Sequence, residues 1–444
     1  MSVLAEAKAP LLVEARRGFA PWAGLAVLLT LGVLLAASAD RWQGGWAETA
    51  AQLHDAVLIT VPAAAAAGCW QGGRERRRRT EELWGTVVRP PLSRFLVSAL
   101  PVALWVAAGY AVAAGLALLA TWPYAQGPLG DGPRLARMAA DAFVSGAAVA
   151  AGHVVGRLVP SRLAAPLLAT AGYVGLGVTA TAPEGAGQSL NPAFQVLATW
   201  VPVWWQPAAT AVWAGGLAGA AVLAYAARRR WTALLPLAAA TAAGVLLVQT
   251  GDGLWHTDPL ADRQVCDTSV TPAVCVNARF ADALPQVSAA LSGVTGKLAG
   301  VRNLPVRWED RDGEAGRDEA SLPSLTPLGW SFVRGRLTDP AGFAWQAVGA
   351  LGLSGDCPDD PDGGPDDRVA VADDTVENYL APSPAQQYFD SLDAGSDARR
   401  RAALAARRAA RARLLAMDEE ERRTWLSAYF AARADCRPKE VPAL

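Results

Sequence analysis

The chain has 444 residues, of which 52% are hydrophobic and only 18% charged. Soluble domains carry roughly 25% charged residues, so this composition excludes an ordinary soluble enzyme, and its apolar content excludes dominant disorder. The net charge of −1 conceals two unlike halves: 18 Lys and Arg against 11 Asp and Glu through Thr250, then 22 against 30 from Gly251 onward.

In chain order, residues 1–19 open with Met1 to Arg17, which reads as a short amphipathic helix on the inner membrane face, with Lys8, Arg16 and Arg17 toward water. Residues 20–250 follow as a transmembrane domain. A bilayer core needs about 20 mostly apolar residues in helix, and seven stretches approach that: Ala20–Ala37, Ala56–Trp70, Phe95–Trp122, Met138–Val159, Leu163–Ala182, Ala208–Ala227 and Trp231–Gln249. The second is short and Ala-rich. With the N-terminus inside, the cytoplasmic segments hold 15 Lys and Arg against three on the other side, so the positive-inside rule predicts a cytoplasmic N-terminus. Seven crossings then place residues 251–444 outside the cell. Trp122, Trp200, Trp204 and Trp205 would lie at the outer interface, where indole rings favour the headgroup layer.

Ionisable residues inside spans are costly and are functional candidates by default. Asp141 falls near the outer end of the fourth span and His153 nearer its inner end, while His54 and Asp55 fall at the outer end of the second. No relay pattern links them, which argues against a proton-coupled carrier. His153, between Gly152 and Gly156, reads as a helix-contact hydrogen bond in preference to a substrate group.

The cytoplasmic loop of residues 71–94 is the most informative stretch. A charged run, Arg74 to Arg79, is followed by Glu81, Glu82, Gly85 and Thr86, then by Pro91, Ser93 and Arg94 leading into the third span. This pattern resembles the ABC-2 family of ABC-transporter permeases, here in a form whose Arg, Ala and Gly usage suggests a GC-rich bacterial, actinobacterial genome. The resemblance covers roughly the first 250 residues. It implies that Arg76, Arg79, Glu81, Glu82, Gly85, Thr86, Pro91, Ser93 and Arg94 form a coupling helix docking on an ATP-binding subunit. It also implies a permease dimer, homomeric or heteromeric, in the bacterial plasma membrane. Family members commonly have six spans with both termini inside, whereas this chain reads as seven spans and an outer domain. The arginine run has a second reading, as a topology signal in contact with anionic lipid.

A phosphate-binding loop requires Gly-x4-Gly-Lys-Ser/Thr. Gly293 to Lys297 lacks that spacing and is followed by Leu298, so ATP is expected on a separate chain. No cofactor, metal or nucleic-acid partner is expected, and the chain reads as a non-enzyme.

The last 194 residues read as a mainly helical α(+β) extracytoplasmic domain. Ala273–Asn277 and Val301–Trp308 are strand candidates, with a helix from about Phe280 to Leu298 between them. Cys266, Cys275, Cys357 and Cys436 are an even set, as an oxidising compartment permits; of three pairings, Cys266–Cys275 with Cys357–Cys436 is favoured. The Asp-, Pro- and Gly-rich stretch Gly355–Asp374 reads as a solvated acidic loop without EF-hand spacing. Asp397 to Met417 reads as a helix and Asp418 as the cap of the next, with Glu421 at the capping-box position. Trp425, Leu426, Tyr429 and Phe430 give that helix an apolar core face. His256, with Asp258 and Asp262 nearby, is a weak metal signal.

The expected fold is therefore an all-α polytopic membrane protein of about seven transmembrane helices with this added outer domain. The expected function is an ABC-2-like permease subunit. The alternative is a membrane-anchored sensor or assembly protein on a degenerate permease scaffold.

Overall fold

A computed structural model describes residues 13–16, 18–79, 90–125, 132, 134–182, 185–195, 198–311, 313, 315–316, 318–325, 332–352 and 367–444. The chain divides into two compact units, Met1–Pro123 with Gly132–Thr257, and Tyr124–Asp131 with Asp258–Leu444.

The first unit is helical. Among the described residues six helices are long and apolar enough to cross a membrane: Val13–Ala37, Pro91–Thr121, Leu135–Leu158, Ala164–Thr181, Gln206–Ala226 and Arg230–Leu254. The chain runs through α1 (Ala20–Ala37), α2 (Trp46–Asp55), α3 (Val57–Gly72), α4 (Pro91–Thr121), α5 (Leu135–Leu158), α6 (Ala164–Thr181), α7 (Gln206–Ala226) and α8 (Leu234–Thr250). The expected second span is α3, which follows α2 with a bend of 42° at their junction, and a seventh crossing is reached only if the pair is one span. Glu48, His54 and Asp55 on α2 explain why hydropathy alone saw only the α3 part.

Packing in this unit is inverted relative to a soluble bundle. Leu29, Leu104, Leu119, Leu167 and Leu235 face outward, while Ala, Gly and Val dominate the buried faces. Helices able to cross a membrane can leave large side chains on their outer faces, since lipid tails are as apolar as leucine, while small residues between helices let backbones approach. The closest approach joins α3 to α5. A Cβ on Gly152 would lie 1.9 Å from the Ala65 carbonyl oxygen, and one on Gly68 would lie 2.0 Å from that of Val149. Gly72 and Gly156 complete the seam, one turn further along each helix. Beside it His153 makes the expected helix-contact bond, its Nε2 3.0 Å from Ser98 Oγ and its ring edge-on to Phe95. A short antiparallel ribbon, β1 (Trp200–Pro202) with β2 (Trp255–Thr257), closes the unit.

The second unit is α/β. Strands β3 (Gln264–Asp267), β4 (Ala273–Asn277), β5 (Arg307–Glu309) and β6 (Glu319–Ser321) form one sheet in that order, the first pair antiparallel and the others parallel. Helix α9 (Leu284–Lys297) connects β4 toward β5 and buries Val287, Leu291 and Val294. The core adds Trp308, whose Nε1 donates to the Ala347 carbonyl of α10 (Pro340–Leu351) at 3.1 Å. Four more helices follow: α11 (Asp367–Leu380), α12 (Pro384–Ala394), α13 (Ala398–Ala416) and α14 (Glu419–Ala434). Asp397 and Asp418 cap α13 and α14 through the Arg400 and Glu421 amides, and Trp425, Leu426, Tyr429 and Phe430 are buried as expected.

Three expectations change. The Val301–Trp308 strand is only Arg307–Glu309, because Val301 to Pro305 is irregular, with a bend at Asn303 in a left-handed conformation, and pairs with no strand. The helix expected from Phe280 begins at Leu284 after a 3-10 turn. The expected acidic loop is shorter than Gly355–Asp374, since Asp367–Asp374 is the start of α11; residues 353–366 lie outside the described residues.

Glu377 on α11 yields one prediction. Burial pushes its carboxyl above the usual range, more than the 2.9 Å hydrogen bond from Trp345 Nε1 and the Arg411 charge pull it down. The folded state therefore takes up this proton more readily than the unfolded chain, and ionisation at neutral pH destabilises it. Glu377→Gln is expected to raise the melting temperature of the second unit at pH 7 by about 1–2 °C, the gain vanishing below pH 4. Thermal melts of the full chain across that range check it; a gain that grows on acidification would contradict the sign.

Candidate functional site

A polar cluster lies where α2, α4 and α5 meet. His54 is the last but one residue of α2, Asp141 sits in the second turn of α5, and Tyr110 is midway along α4. All three are buried. His54 Nδ1 lies 3.0 and 3.1 Å from the two Asp141 oxygens, and its Nε2 lies 3.0 Å from the Phe194 carbonyl. Both ring nitrogens of His54 are thus within hydrogen-bond distance of an oxygen, which fixes the orientation of the ring. The Tyr110 hydroxyl donates to Asp141 Oδ2 at 3.1 Å, so both carboxylate oxygens are engaged.

Arg137 is on the same face of α5, one turn before Asp141, and is 6% exposed. Its guanidinium lies over the Trp255 ring at 5.3 Å. Arg137, His54, Asp141, Gln188, Asn191, Phe194, Gln206, Thr210 and Trp255 are among the residues around a cavity of about 20 Å³, room for a water or two.

The sequence places His54, Asp55 and Asp141 in the membrane half but finds no relay among them. The structure puts His54 on Asp141 across 87 residues of chain, a pairing that spacing in the sequence does not show. His153 stays apart, bound to Ser98. Tyr110 and Arg137 escape the sequence reading; the available signal was two opposite charges four residues apart at the start of an apolar helix.

Of the expected coupling residues, Glu81, Glu82, Gly85 and Thr86 lie outside the described residues, while Arg76, Arg79, Pro91, Ser93 and Arg94 are described. Arg157, at the end of α5, forms a two-pronged ion pair with Glu75, one prong at 2.6 Å. Arg76 donates to the Arg157 carbonyl at 2.9 Å. Gln71 donates to Glu14 at 2.9 Å, and Arg74 pairs with the same carboxylate. Trp105 Nε1 donates to the Ala15 carbonyl at 2.8 Å, so the segment before α1 is held by both α3 and α4. Arg79 adopts a left-handed conformation with φ 55°, which ends the short helix Arg74–Arg77. Pro91 starts α4, where its missing N–H costs nothing. Arg94 joins Glu75, Pro91, Phe95, Arg157 and Tyr225 around a cavity of about 180 Å³. The loop flanks are thus tied to the ends of α3, α4 and α5.

In the second unit Cys266 and Cys275 form a disulfide between directly opposed residues of β3 and β4. Cys436 is disulfide-bonded, and Cys357, its expected partner, lies outside the described residues. Asp258 caps the turn at Leu260 instead of joining His256 and Asp262 in a site. Among the described residues no group of three or more His, Cys, Asp or Glu is arranged to hold a metal ion.

Compared with known proteins, the chain matches no family model, no curated protein and no solved structure.

Proposed function

We propose that the chain is the membrane-spanning subunit of an ABC-2-like transporter, an exporter, whose power comes from a separate ATP-binding subunit docking on the 74–94 loop. The observation that supports this best is the tie between loop and helices. Glu75 pairs with Arg157 at the end of α5, and Arg74 pairs with Glu14 before α1. Force applied to the loop flank therefore reaches two helices through ionic contacts and not through slack chain, as a coupling element requires. In this reading the N-terminus is cytoplasmic, the second unit is extracytoplasmic, and the permease acts as a dimer.

A pull-down of the tagged full chain in mild detergent tests it. An ABC ATPase is expected to copurify with the wild type and to be lost on charge reversal at Glu81 and Glu82. A well-expressed wild type that never recovers an ATPase would overturn the coupling role and favour the sensor or assembly reading.

A further inference from the structure

We infer that the cavity beside Arg137 is a binding site for a small monovalent anion, chloride or the carboxylate of a short organic acid. Arg137 is the buried charge that its surroundings leave open. No hydrogen bond or ion pair to a described residue engages its guanidinium, which has only the face of Trp255 at 5.3 Å. A buried cation of this kind is costly unless something supplies acceptors, and the guanidinium presents five N–H donors.

The other charged groups nearby do not supply them. Asp141 and Asp55 act on Arg137 through space, as does the cation of Arg134. The Asp141 oxygens are taken by His54 and by the Tyr110 hydroxyl. Arg137 and Arg134 set two cations against Asp141 and Asp55, so a further anion would not enter a net negative site. The remaining walls add positive character. Gln206, Pro207 and Thr210 are among the first five residues of the 21-residue α7, whose N-terminal dipole end meets the cavity. The volume of about 20 Å³ admits a halide or a carboxylate head but not a bulky polyhydroxy acid. This site is independent of whether an ATPase docks on the loop.

The test uses the full chain purified in detergent in a chloride-free sodium gluconate buffer. Sodium chloride or sodium acetate replaces gluconate at constant ionic strength, and the melting temperature is followed. A ligand that binds only the folded state raises it saturably. The wild type is expected to respond to chloride or acetate, with gluconate inert. Arg137→Gln is expected to abolish the response or weaken it at least about tenfold, since it removes a charge-assisted donor. Ala140→Val, which fills the cavity wall without changing charge, is expected to do the same, and it decides the matter if Arg137→Gln fails to fold. Arg134→Gln, whose side chain donates to the Trp200 carbonyl outside the cavity lining, is expected to keep the response. No saturable response in the wild type, or one that survives the Ala140 variant unchanged, would overturn the proposal.

Discussion

Gly152→Val is expected to abolish stable packing of α3 against α5. The new Cβ would lie 1.9 Å from the Ala65 carbonyl oxygen and 2.9 Å from the Ala65 Cα, positions occupied by backbone and not by a side chain able to rotate away. Overpacking a core usually costs about 1–3 kcal/mol, and here relief demands separating two helices, so the cost should reach or exceed the top of that range. Gly152→Ala should act in the same direction but less strongly. Gly175→Ala is the control, because a Cβ there meets nothing within 4 Å and alanine is the better helix former. Size-exclusion profiles and melting curves in detergent read all three. A Gly152→Val protein that melts within a degree or two of wild type would mean that this seam does not hold the helices as described.

Arg411→Ala is expected to destabilise the second unit by more than any surface truncation. The guanidinium on α13 bridges Asp374 of α11 at 2.7 Å and Asp390 of α12 at 2.5 Å, with side-chain exposures of 13%, 18% and 12%. Removing it leaves two half-desolvated carboxylates facing each other. Breaking a buried pair in this way costs about 3–5 kcal/mol, and residual solvent access lowers the expectation to about 2–3 kcal/mol. Arg407 lies 3.6 Å from Asp374 and 3.7 Å from Asp390, and compensates only in part. Arg411→Lys should rescue poorly, because a single ammonium cannot bond two carboxylates on different helices as the planar fork does. Denaturant unfolding of the full chain, monitored for the second unit by protease resistance of α11 to α13, checks this. Equal resistance in Arg411→Ala and wild type would show that the arginine bridges nothing that matters.

What the sequence disclosed follows from what each signal depends on. Apolar length is local, so all seven stretches correspond to helices, while the helix before the second one, which carries Glu48, His54 and Asp55, was not seen. Caps are local too, which is why Asp397 and Asp418 were legible. The Cys266–Cys275 bridge joins two strands linked by a tight turn, a separation of 9 residues that composition and compartment suggest. The parallel strands β5 and β6 were partly or wholly missed because they are three residues each, too short for an alternating pattern to show. The polar cluster stayed hidden for the same reason: His54, Tyr110 and Asp141 come from three helices, and only packing decides which faces meet. The residues expected to dock a partner carry a pattern that the internal contacts of one chain do not report on.

The glycine seam gains meaning from what sits at its two ends. Near one end of the α3–α5 pair, His54 is bonded to Asp141; near the other, Glu75 is bonded to Arg157. In between, carbonyl oxygens press on glycine Cα atoms with no side chain to shear or swing. Engineers would call this a beam clamped at both supports and glued along its length. Such a beam neither stretches nor slides; it tilts whole. A push at the Glu75 end would move α3 and α5 together, with little lost to side-chain compliance along the seam.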